Sequence, residues 1–204
     1  MSQAWQKHAI VVTGSSGSGK SLVSQYLSEL GAVVLSADEF ARAALAPGAE
    51  ALKEVKKIFG HEVFEGETLN RRKLATVVFK NPALKLKLDN IVHPIVEQLA
   101  QNAFDKIKES GKLIIYDCPL FFETKLREKG FKSVVVVTAP EELKIQRLEA
   151  RDWLTEDQAR ERLANQLPDA EKVMLADHVI VNDAGVDELK KKVERVFEKL
   201  SNKN

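Results

Sequence analysis

The chain has 204 residues, 44% of them hydrophobic, which suits one compact globular domain with insertions or a core with a small subdomain. Its 31 basic and 30 acidic side chains leave a net charge of +1, which predicts neither nucleic acid nor an anionic membrane as a partner. No aliphatic run approaches the roughly 20 residues that cross a bilayer, and the first residues lack the layout of a secretion signal. A single cysteine, Cys118, excludes a disulfide within the chain, and together these observations predict a cytoplasmic protein. The sequence gives no sign of an obligate protein partner.

The first predicted strand, residues 9–13, leads directly into Gly-Ser-Ser-Gly-Ser-Gly-Lys-Ser at residues 14–21. Apolar residues at helical spacing follow, so the motif Gly-x-x-x-x-Gly-Lys-Ser stands between a strand and a helix, as a phosphate-binding loop requires. The alternative is a flexible turn without a ligand. Lys20 is predicted to contact the β- and γ-phosphates of a nucleotide and Ser21 to bind Mg²⁺. The predicted nucleotide contacts in the loop are Gly14, Ser16, Gly17, Ser18, Gly19, Lys20 and Ser21.

Alternating strand and helix signals along the chain predict a parallel sheet with helices on both faces. The later strand signals lie at residues 32–37, 112–117, 133–138 and 178–182. The long gap between the second and third strands exceeds one crossover helix and predicts an inserted helical subdomain. A helical stripe in this gap is interrupted at His93-Pro94, where we expect one helix to end and another to begin.

The segment between the fourth and fifth strands predicts two helices. The capping-box pattern Thr155-x-x-Gln158 places the start of the second helix near Thr155, after a break around Asp152-Trp153. Two helices joined by a charged turn near a nucleotide site are typical of a lid.

Parallel sheets bind ligands at the carboxyl ends of their strands, so polar residues there are candidates for catalysis. Asp38 is predicted either to orient and deprotonate an acceptor hydroxyl or to cap a helix that begins at Glu39. Asp117 stands where phosphate-loop enzymes carry an acid that supports Mg²⁺, and its alternative role is a turn aspartate. Arg147 and Arg151 share a helix face, and they either contact the polyphosphate or bridge nearby glutamates.

An ordered series of short motifs resembles the dephospho-coenzyme A (dephospho-CoA) kinase family from about Ile10 to Leu200. The phosphate loop is shared by many families, whereas the order of the other motifs is specific to this one. They are Ala37-Asp38-x-x-Ala41-Arg42, Phe59-Gly60, Leu69-x-Arg71-x-x-Leu74, His93-Pro94, Asp117-Cys-Pro119-Leu120-x-x-Glu123, Gln146-Arg147-x-x-x-Arg151-Asp152, Gln166 and Ala176-Asp177-x-Val179-Ile180-x-Asn182.

The resemblance implies a three-layer α/β phosphate-loop kinase fold over residues 1–204, with five parallel strands in the spatial order 2-3-1-4-5. It also implies a helical acceptor subdomain at about residues 60–110 and a lid at about residues 140–170. The implied activity uses ATP and Mg²⁺ to phosphorylate the ribose 3′-hydroxyl of dephospho-CoA, the last step of coenzyme A synthesis.

The resemblance also assigns roles to individual residues. Asp38 is the implied catalytic carboxylate and Arg147 an implied lid residue near the nucleotide, and with Lys20 of the phosphate loop they are the predicted catalytic residues. Asp38, Arg42 and His93 are implied to belong to the acceptor site, and Arg147 and Asn182 to lie beside ATP. Ser15-Ser16 depart from the more usual Gly-Ile, a change that we expect to be tolerated because the backbone binds the phosphates.

Three other functions compete with this interpretation. Another small phosphate-loop kinase would act on a different acceptor, such as a nucleoside or a sugar acid. A regulatory GTPase would carry Asp-x-x-Gly after the third strand and Asn-Lys-x-Asp, and the sequence contains neither motif. A nucleotide-binding module would bind ATP without turnover, but the presence of Lys20, Ser21, Asp38 and Arg147 argues against it.

Overall fold

The computed structural model of the chain describes residues 5–202. These residues divide into two compact units. Unit 1 contains residues up to Ser36 and from Ile107 onwards, and unit 2 is Ala37–Lys106. No helix in the described part of the chain is both long and apolar enough to span a membrane.

The elements are numbered in chain order. The strands are β1 Ala9–Thr13, β2 Val33–Ser36, β3 Phe64–Glu65, β4 Thr68–Leu69, β5 Ile114–Asp117, β6 Ser133–Thr138 and β7 His178–Val181. The α-helices are α1 Lys20–Glu29, α2 Ala37–Ala44, α3 Ala51–Phe59, α4 Arg71–Lys80, α5 Pro82–Ile107, α6 Glu141–Asp152, α7 Glu156–Ala164, α8 Asp169–Met174 and α9 Val186–Ser201. Short 3₁₀ turns span Trp5–His8, His61–Val63 and Lys125–Lys129.

Unit 1 is built on a five-stranded parallel sheet in the order β2-β5-β1-β6-β7. Strands β5, β6 and β7 are the third, fourth and fifth strands of this sheet along the chain, because β3 and β4 pair separately. The predicted order 2-3-1-4-5 is therefore confirmed. Every residue of the central strand β1 is buried, which explains its uninterrupted apolar sequence. Helices α1 and α9 pack on one face of the sheet. That core includes Ile10, Val12, Val23, Leu27, Val135, Val137, Ile180, Leu189 and Val193.

The second half of unit 1 contains the helix break that the sequence predicts. Helix α6 ends at Asp152, and Trp153 takes a left-handed conformation with φ of 57°. Thr155 then caps α7 and forms both hydrogen bonds of a capping box with Gln158. The predicted helix start near Thr155 is confirmed.

Unit 2 contains helices α2 to α5 and a small antiparallel pair, β3 and β4, that the sequence analysis did not predict. The expected helix end at His93-Pro94 is wrong, because α5 continues through Pro94. The apolar residues before and after Pro94 pack into one core, and this packing outweighs the hydrogen bond that proline cannot make. Helix α5 instead begins at Pro82, where the side chain of Asn81 accepts hydrogen bonds from the N–H groups of Ala83 and Leu84.

Candidate active site

The phosphate loop connects buried strand β1 to helix α1, so the predicted order of strand, turn and helix is confirmed. Gly17 and Gly19 have φ of 78° and 90°, which side-chain-bearing residues rarely adopt. A Cβ atom on Gly17 would lie 2.6 Å from the carbonyl oxygen of Lys144. The loop therefore needs glycine there for both conformation and space.

The start of α1 presents unpaired N–H groups. The first N–H groups of any helix have no acceptor inside that helix. Within residues 5–202, no backbone carbonyl accepts a hydrogen bond from the N–H groups of Gly19, Lys20 or Ser21. The N-terminus of a helix also carries a partial positive charge. These donors fit a chain of phosphate groups.

Lys20 forms an ion pair with Asp117 in unit 1. The Lys20 ammonium contacts Oδ1 of Asp117, and the two side chains are only 12% and 13% exposed. Asp117 is the last residue of β5 and lies opposite Val12 of β1, so the register of the sheet brings it to the loop. The sequence analysis placed both residues at this edge of the sheet but did not predict that they pair.

The oxygen ligands beside Lys20 fit a magnesium ion that binds together with a nucleotide. Ser21 offers an exposed hydroxyl and Asp117 a carboxylate. Magnesium in nucleotide sites uses one or two carboxylates and completes its shell with phosphate oxygens and water. Among the described residues, no group of three or more His, Cys, Asp or Glu side chains could hold a metal ion by itself.

Arg147 and Asn182 lie against the outer side of the phosphate loop. Arg147 Nη1 donates a hydrogen bond to the Gly17 carbonyl at 3.2 Å, and Nη2 donates to the Asn182 carbonyl at 3.2 Å. The buried amide of Asn182 donates to the Ser18 carbonyl at 2.9 Å. These bonds fix the peptide groups that carry the Gly17 and Ser18 carbonyls. Direct contact of Arg147 and Asn182 with ATP stays a prediction.

Arg151, which shares a face of α6 with Arg147, binds an acidic residue instead. Its guanidinium donates two hydrogen bonds of 2.8 Å to Asp152, which also accepts one of 2.7 Å from Arg162. The hydrogen bond from Arg151 holds the pKa of Asp152 below its ordinary value. Arg147 therefore contacts the phosphate loop, and its contact with the polyphosphate stays a prediction. Arg151 bridges an acid, although that acid is an aspartate and not a glutamate.

A partly buried polar cluster beside the loop was missed from the sequence. The Asp169 cluster, as we call it, consists of Ser15, Glu123, Thr138, Lys144, Asp169 and Lys172. One oxygen of Asp169 accepts from Ser15, and the other accepts from Thr138 and from Lys144 Nζ at 2.9 Å. Burial raises the pKa of Asp169, but these hydrogen bonds outweigh burial and hold the pKa below its ordinary value.

Two lysines of the Asp169 cluster have side chains that are almost fully buried. Lys144 is 8% exposed, and Lys172, which is 0% exposed, pairs with Glu123 at 2.8 Å. Lysine is almost never buried without a partner, so each lysine is a signal of a nearby acid. The sequence holds a weak sign of this burial, because Lys144 lies on the same side of α6 as the apolar residues Ile145 and Leu148.

The segment between α7 and α8 also contacts the phosphate loop, through the side chain of Gln166. The N–H of Ser16, a predicted ATP contact, donates to Oε1 of Gln166 at 2.9 Å. The N–H of Leu167 donates to Glu123 at 3.2 Å. Gln166 and the Asp169 cluster thus hold two consecutive loop residues, Ser15 and Ser16.

The predicted acceptor residues all belong to unit 2 and are exposed. Asp38 lies in the first turn of α2, which begins at Ala37, so the expectation of a helix starting at Glu39 is wrong. Arg42 follows one turn later on the same face of α2. His93 lies on α5, with Nε2 at 3.9 Å from an oxygen of Asp89.

Arg71, which belongs to one of the motifs of the family series, stabilises the end of α2. Its guanidinium donates to the carbonyl oxygens of Arg42 at 2.9 Å and Leu45 at 3.0 Å. A cation bound to the last carbonyls of a helix stabilises them through charge and hydrogen bonding. Arg71 is therefore a structural support for the helix that carries Asp38 and Arg42.

Comparison with known proteins agrees with the geometry. The family model described as dephospho-CoA kinase matches residues 8–188. A dephospho-CoA kinase from Syntrophotalea carbinolica is 40% identical over 191 residues, which cover 93% of this chain and 90% of that protein. The crystal structure of TT1252 from Thermus thermophilus has a TM-score of 0.83 and 31% identity, and the match covers 95% of this chain and 99% of that chain. A dephospho-CoA kinase structure from Campylobacter jejuni has a TM-score of 0.72 and 28% identity, with coverage of 97% and 98%.

Proposed function

The chain belongs to the dephospho-CoA kinase family, and we propose that it transfers the γ-phosphoryl group of ATP to the ribose 3′-hydroxyl of dephospho-CoA. The products are coenzyme A and ADP, and the reaction is the last step of coenzyme A synthesis. The observation that carries the proposal is the phosphate loop at residues 14–21, with its unpaired donors and Lys20, in a chain that matches the family over most of its length. The proposal includes a cytoplasmic location, which the single cysteine favours.

On the nucleotide side, the N–H groups at the start of α1 bind phosphate oxygens. The Lys20 ammonium has three N–H donors, so it can contact the β- and γ-phosphates while it stays paired with Asp117. Negative charge spreads over the transferred group in the transition state, and a fixed ammonium group stabilises it there. Arg147 and Asn182 support this by fixing the loop carbonyls, and we propose that both also lie beside ATP.

Mg²⁺ would be held by Ser21 and Asp117 together with phosphate oxygens. When bound, it neutralises charge on those oxygens. Asp117 has two oxygens, so it can support both the ion and the Lys20 ammonium. This dual role supports the assignment of Asp117 to the metal site.

On the acceptor side, the carboxylate of Asp38 accepts the proton of the 3′-hydroxyl as that oxygen attacks phosphorus. The exposure of Asp38 in the first turn of α2 leaves its carboxylate available for this role. Arg42 and His93 bind the acceptor. We further propose that the helices at about residues 60–110 form the acceptor subdomain and that residues at about 140–170 act as a lid.

An acceptor panel with ATP and Mg²⁺ tests the proposal. Dephospho-CoA should be converted to coenzyme A, detected by mass spectrometry and by a new 3′-phosphate signal in phosphorus NMR. Coenzyme A itself is the matched control, since its 3′-oxygen is already phosphorylated. Preferred transfer to a nucleoside or a sugar acid would contradict the proposal, and ATP binding without transfer to any acceptor would favour the binding-module alternative.

A further inference from the structure

We propose that Asp169 is a positioning residue that fixes the phosphate loop through the side chain of Ser15 and thereby sets nucleotide affinity. This inference rests on the proposed function, because it concerns the same nucleotide site. Asp169 and Ser15 are 154 positions apart in the chain, and the hydroxyl of Ser15 donates directly to Oδ1 of Asp169.

Ser15 uses both hydrogen-bonding abilities of its hydroxyl. The oxygen also accepts from Lys172 Nζ at 3.3 Å, so one side of the hydroxyl faces an anion and the other a cation. The carbonyl of Ser15 accepts from the N–H of Ser18 at 3.1 Å, which closes the turn of the loop. A fixed Ser15 side chain therefore fixes the residue on which that turn closes.

Asp169 is itself held in one orientation. Its second oxygen accepts from Thr138 at the end of β6 and from Lys144 on α6. The backbone of Lys144 lies close to Gly17, since a Cβ atom added to Gly17 would come within 2.6 Å of the Lys144 carbonyl oxygen. Asp169 thus connects the end of β6 to the phosphate loop at Ser15, and Lys144 connects the same carboxylate to the helix that borders the loop at Gly17.

The charges of the Asp169 cluster balance, with the lysines Lys144 and Lys172 facing the acids Asp169 and Glu123. Buried ion pairs contribute little net stability compared with apolar side chains of similar size. They do impose direction, because each hydrogen bond needs its partner at a set angle. Such a cluster therefore suits a role in loop geometry better than a role in stability alone.

The test compares four proteins: the wild type, Asp169→Asn, Ser15→Ala and the double variant. Glu171→Gln is the matched control, because Glu171 lies in the same short helix α8 but is exposed. Affinity for ADP with Mg²⁺ is measured by calorimetry without acceptor, and KM values for ATP and dephospho-CoA are measured separately, all well below the melting temperature.

Asp169→Asn should weaken ADP binding and raise the KM for ATP by about tenfold, the lower end for loss of a hydrogen bond to a charged group. The KM for dephospho-CoA should change by less than about twofold, because the cluster contacts the nucleotide loop. Ser15→Ala should weaken ADP binding in the same direction with little loss of stability. The loss of ADP affinity in the double variant should be clearly smaller than the sum of the two single losses, because both changes break the same connection.

Two results would overturn the inference: unchanged ADP affinity in both single variants, or fully additive effects in the double variant. If Asp169→Asn fails to fold, Ser15→Ala still decides, since unchanged ADP affinity in that variant rejects the positioning role. If the wild type and Glu171→Gln bind ADP but do not phosphorylate dephospho-CoA, the proposed function fails. The ADP affinities of the variants still test the positioning role of Asp169.

Discussion

In unit 1 most of the polar side chains that contact the phosphate loop are buried or half-buried and bonded to other groups, whereas in unit 2 the predicted acceptor residues are exposed. Lys20, Arg147 and Asn182 each bind a group from a distant part of the chain. Asp38 and Arg42 stand on the surface of a helix whose apolar residues enter a separate core.

This difference separates two kinds of functional residue. A side chain that is both buried and bonded contributes to folding as well as to chemistry, so its removal should lower stability and activity together. An exposed side chain contributes little to folding, so its removal should lower activity alone. The following variants test this separation.

Lys20→Ala should produce the largest combined effect. Loss of a fixed charge beside the transferred phosphoryl group should lower kcat by about 10²–10³-fold, by analogy with a lost oxyanion-hole donor. It also leaves the carboxylate of Asp117 unpaired, which should lower the free energy of unfolding by about 1–3 kcal/mol. Steady-state kinetics and urea denaturation of the same preparation measure both effects.

Lys191→Ala is the control for Lys20→Ala, because Lys191 forms an ion pair with Glu188 in which both side chains are more than half exposed. Water and salt screen an exposed pair, so it contributes little, and neither kinetics nor stability should change much. Equal stability losses in the two variants would contradict the distinction between buried and exposed pairs.

Arg147→Ala should have the next largest effect. The variant removes charged hydrogen bonds to the loop carbonyls, and kcat should fall by about 10–100-fold, the range for one or two such bonds. The KM for dephospho-CoA should stay within about twofold of wild type, since the contacts of Arg147 are with the nucleotide loop.

Arg160→Ala is the matched control for Arg147, because Arg160 is an exposed arginine of α7 that pairs with glutamates. It should leave kcat unchanged. If Arg147→Ala altered only the KM for dephospho-CoA, Arg147 would belong to the acceptor pocket and not to the nucleotide loop.

The acid stability of unit 1 should depend on Asp169. Its pKa is lower when the protein is folded, so Asp169 stabilises the fold above the ordinary carboxyl pKa of about 4, and this contribution is lost as the pH falls further. The difference in unfolding free energy between wild type and Asp169→Asn should be constant near neutral pH and shrink below about pH 4. Chemical denaturation at a series of pH values measures this difference, and a difference independent of pH down to pH 3 would contradict it.

Trp153→Gly should have the smallest effect on stability, and it should raise the free energy of unfolding where Lys20→Ala and Asp169→Asn lower it. Trp153 is 90% exposed and has φ of 57°, a conformation that costs a side-chain-bearing residue about 1 kcal/mol. Glycine adopts it freely but loses more entropy on folding, so the net gain in unfolding free energy should be about 0.5 kcal/mol. A loss of stability in urea denaturation would mean that the Trp153 ring makes a stabilising contact.

The sequence predicted the elements with strong local patterns and missed those that depend on distant contacts. Strand β1, the capping box at Thr155 and the parallel sheet follow from periodicity and turn chemistry. Pro94 misled the prediction because local propensity favours a break, while the core of unit 2 keeps α5 continuous. The pairs Lys20–Asp117 and Lys144–Asp169 join residues far apart in sequence, which no local pattern reveals.

Asp38→Asn asks whether the exposed carboxylate of Asp38 in unit 2 serves the reaction without serving the fold. Asparagine has the same size as aspartate but cannot accept the hydroxyl proton. If Asp38 is the catalytic carboxylate, phosphoryl transfer to dephospho-CoA should fall by about 10²–10⁴-fold, the range for general acid–base catalysis. The free energy of unfolding should change by no more than about 0.5 kcal/mol, as at other exposed sites. A clear loss of stability with nearly unchanged transfer would contradict the account, because Asp38 would then serve helix α2 and not the reaction.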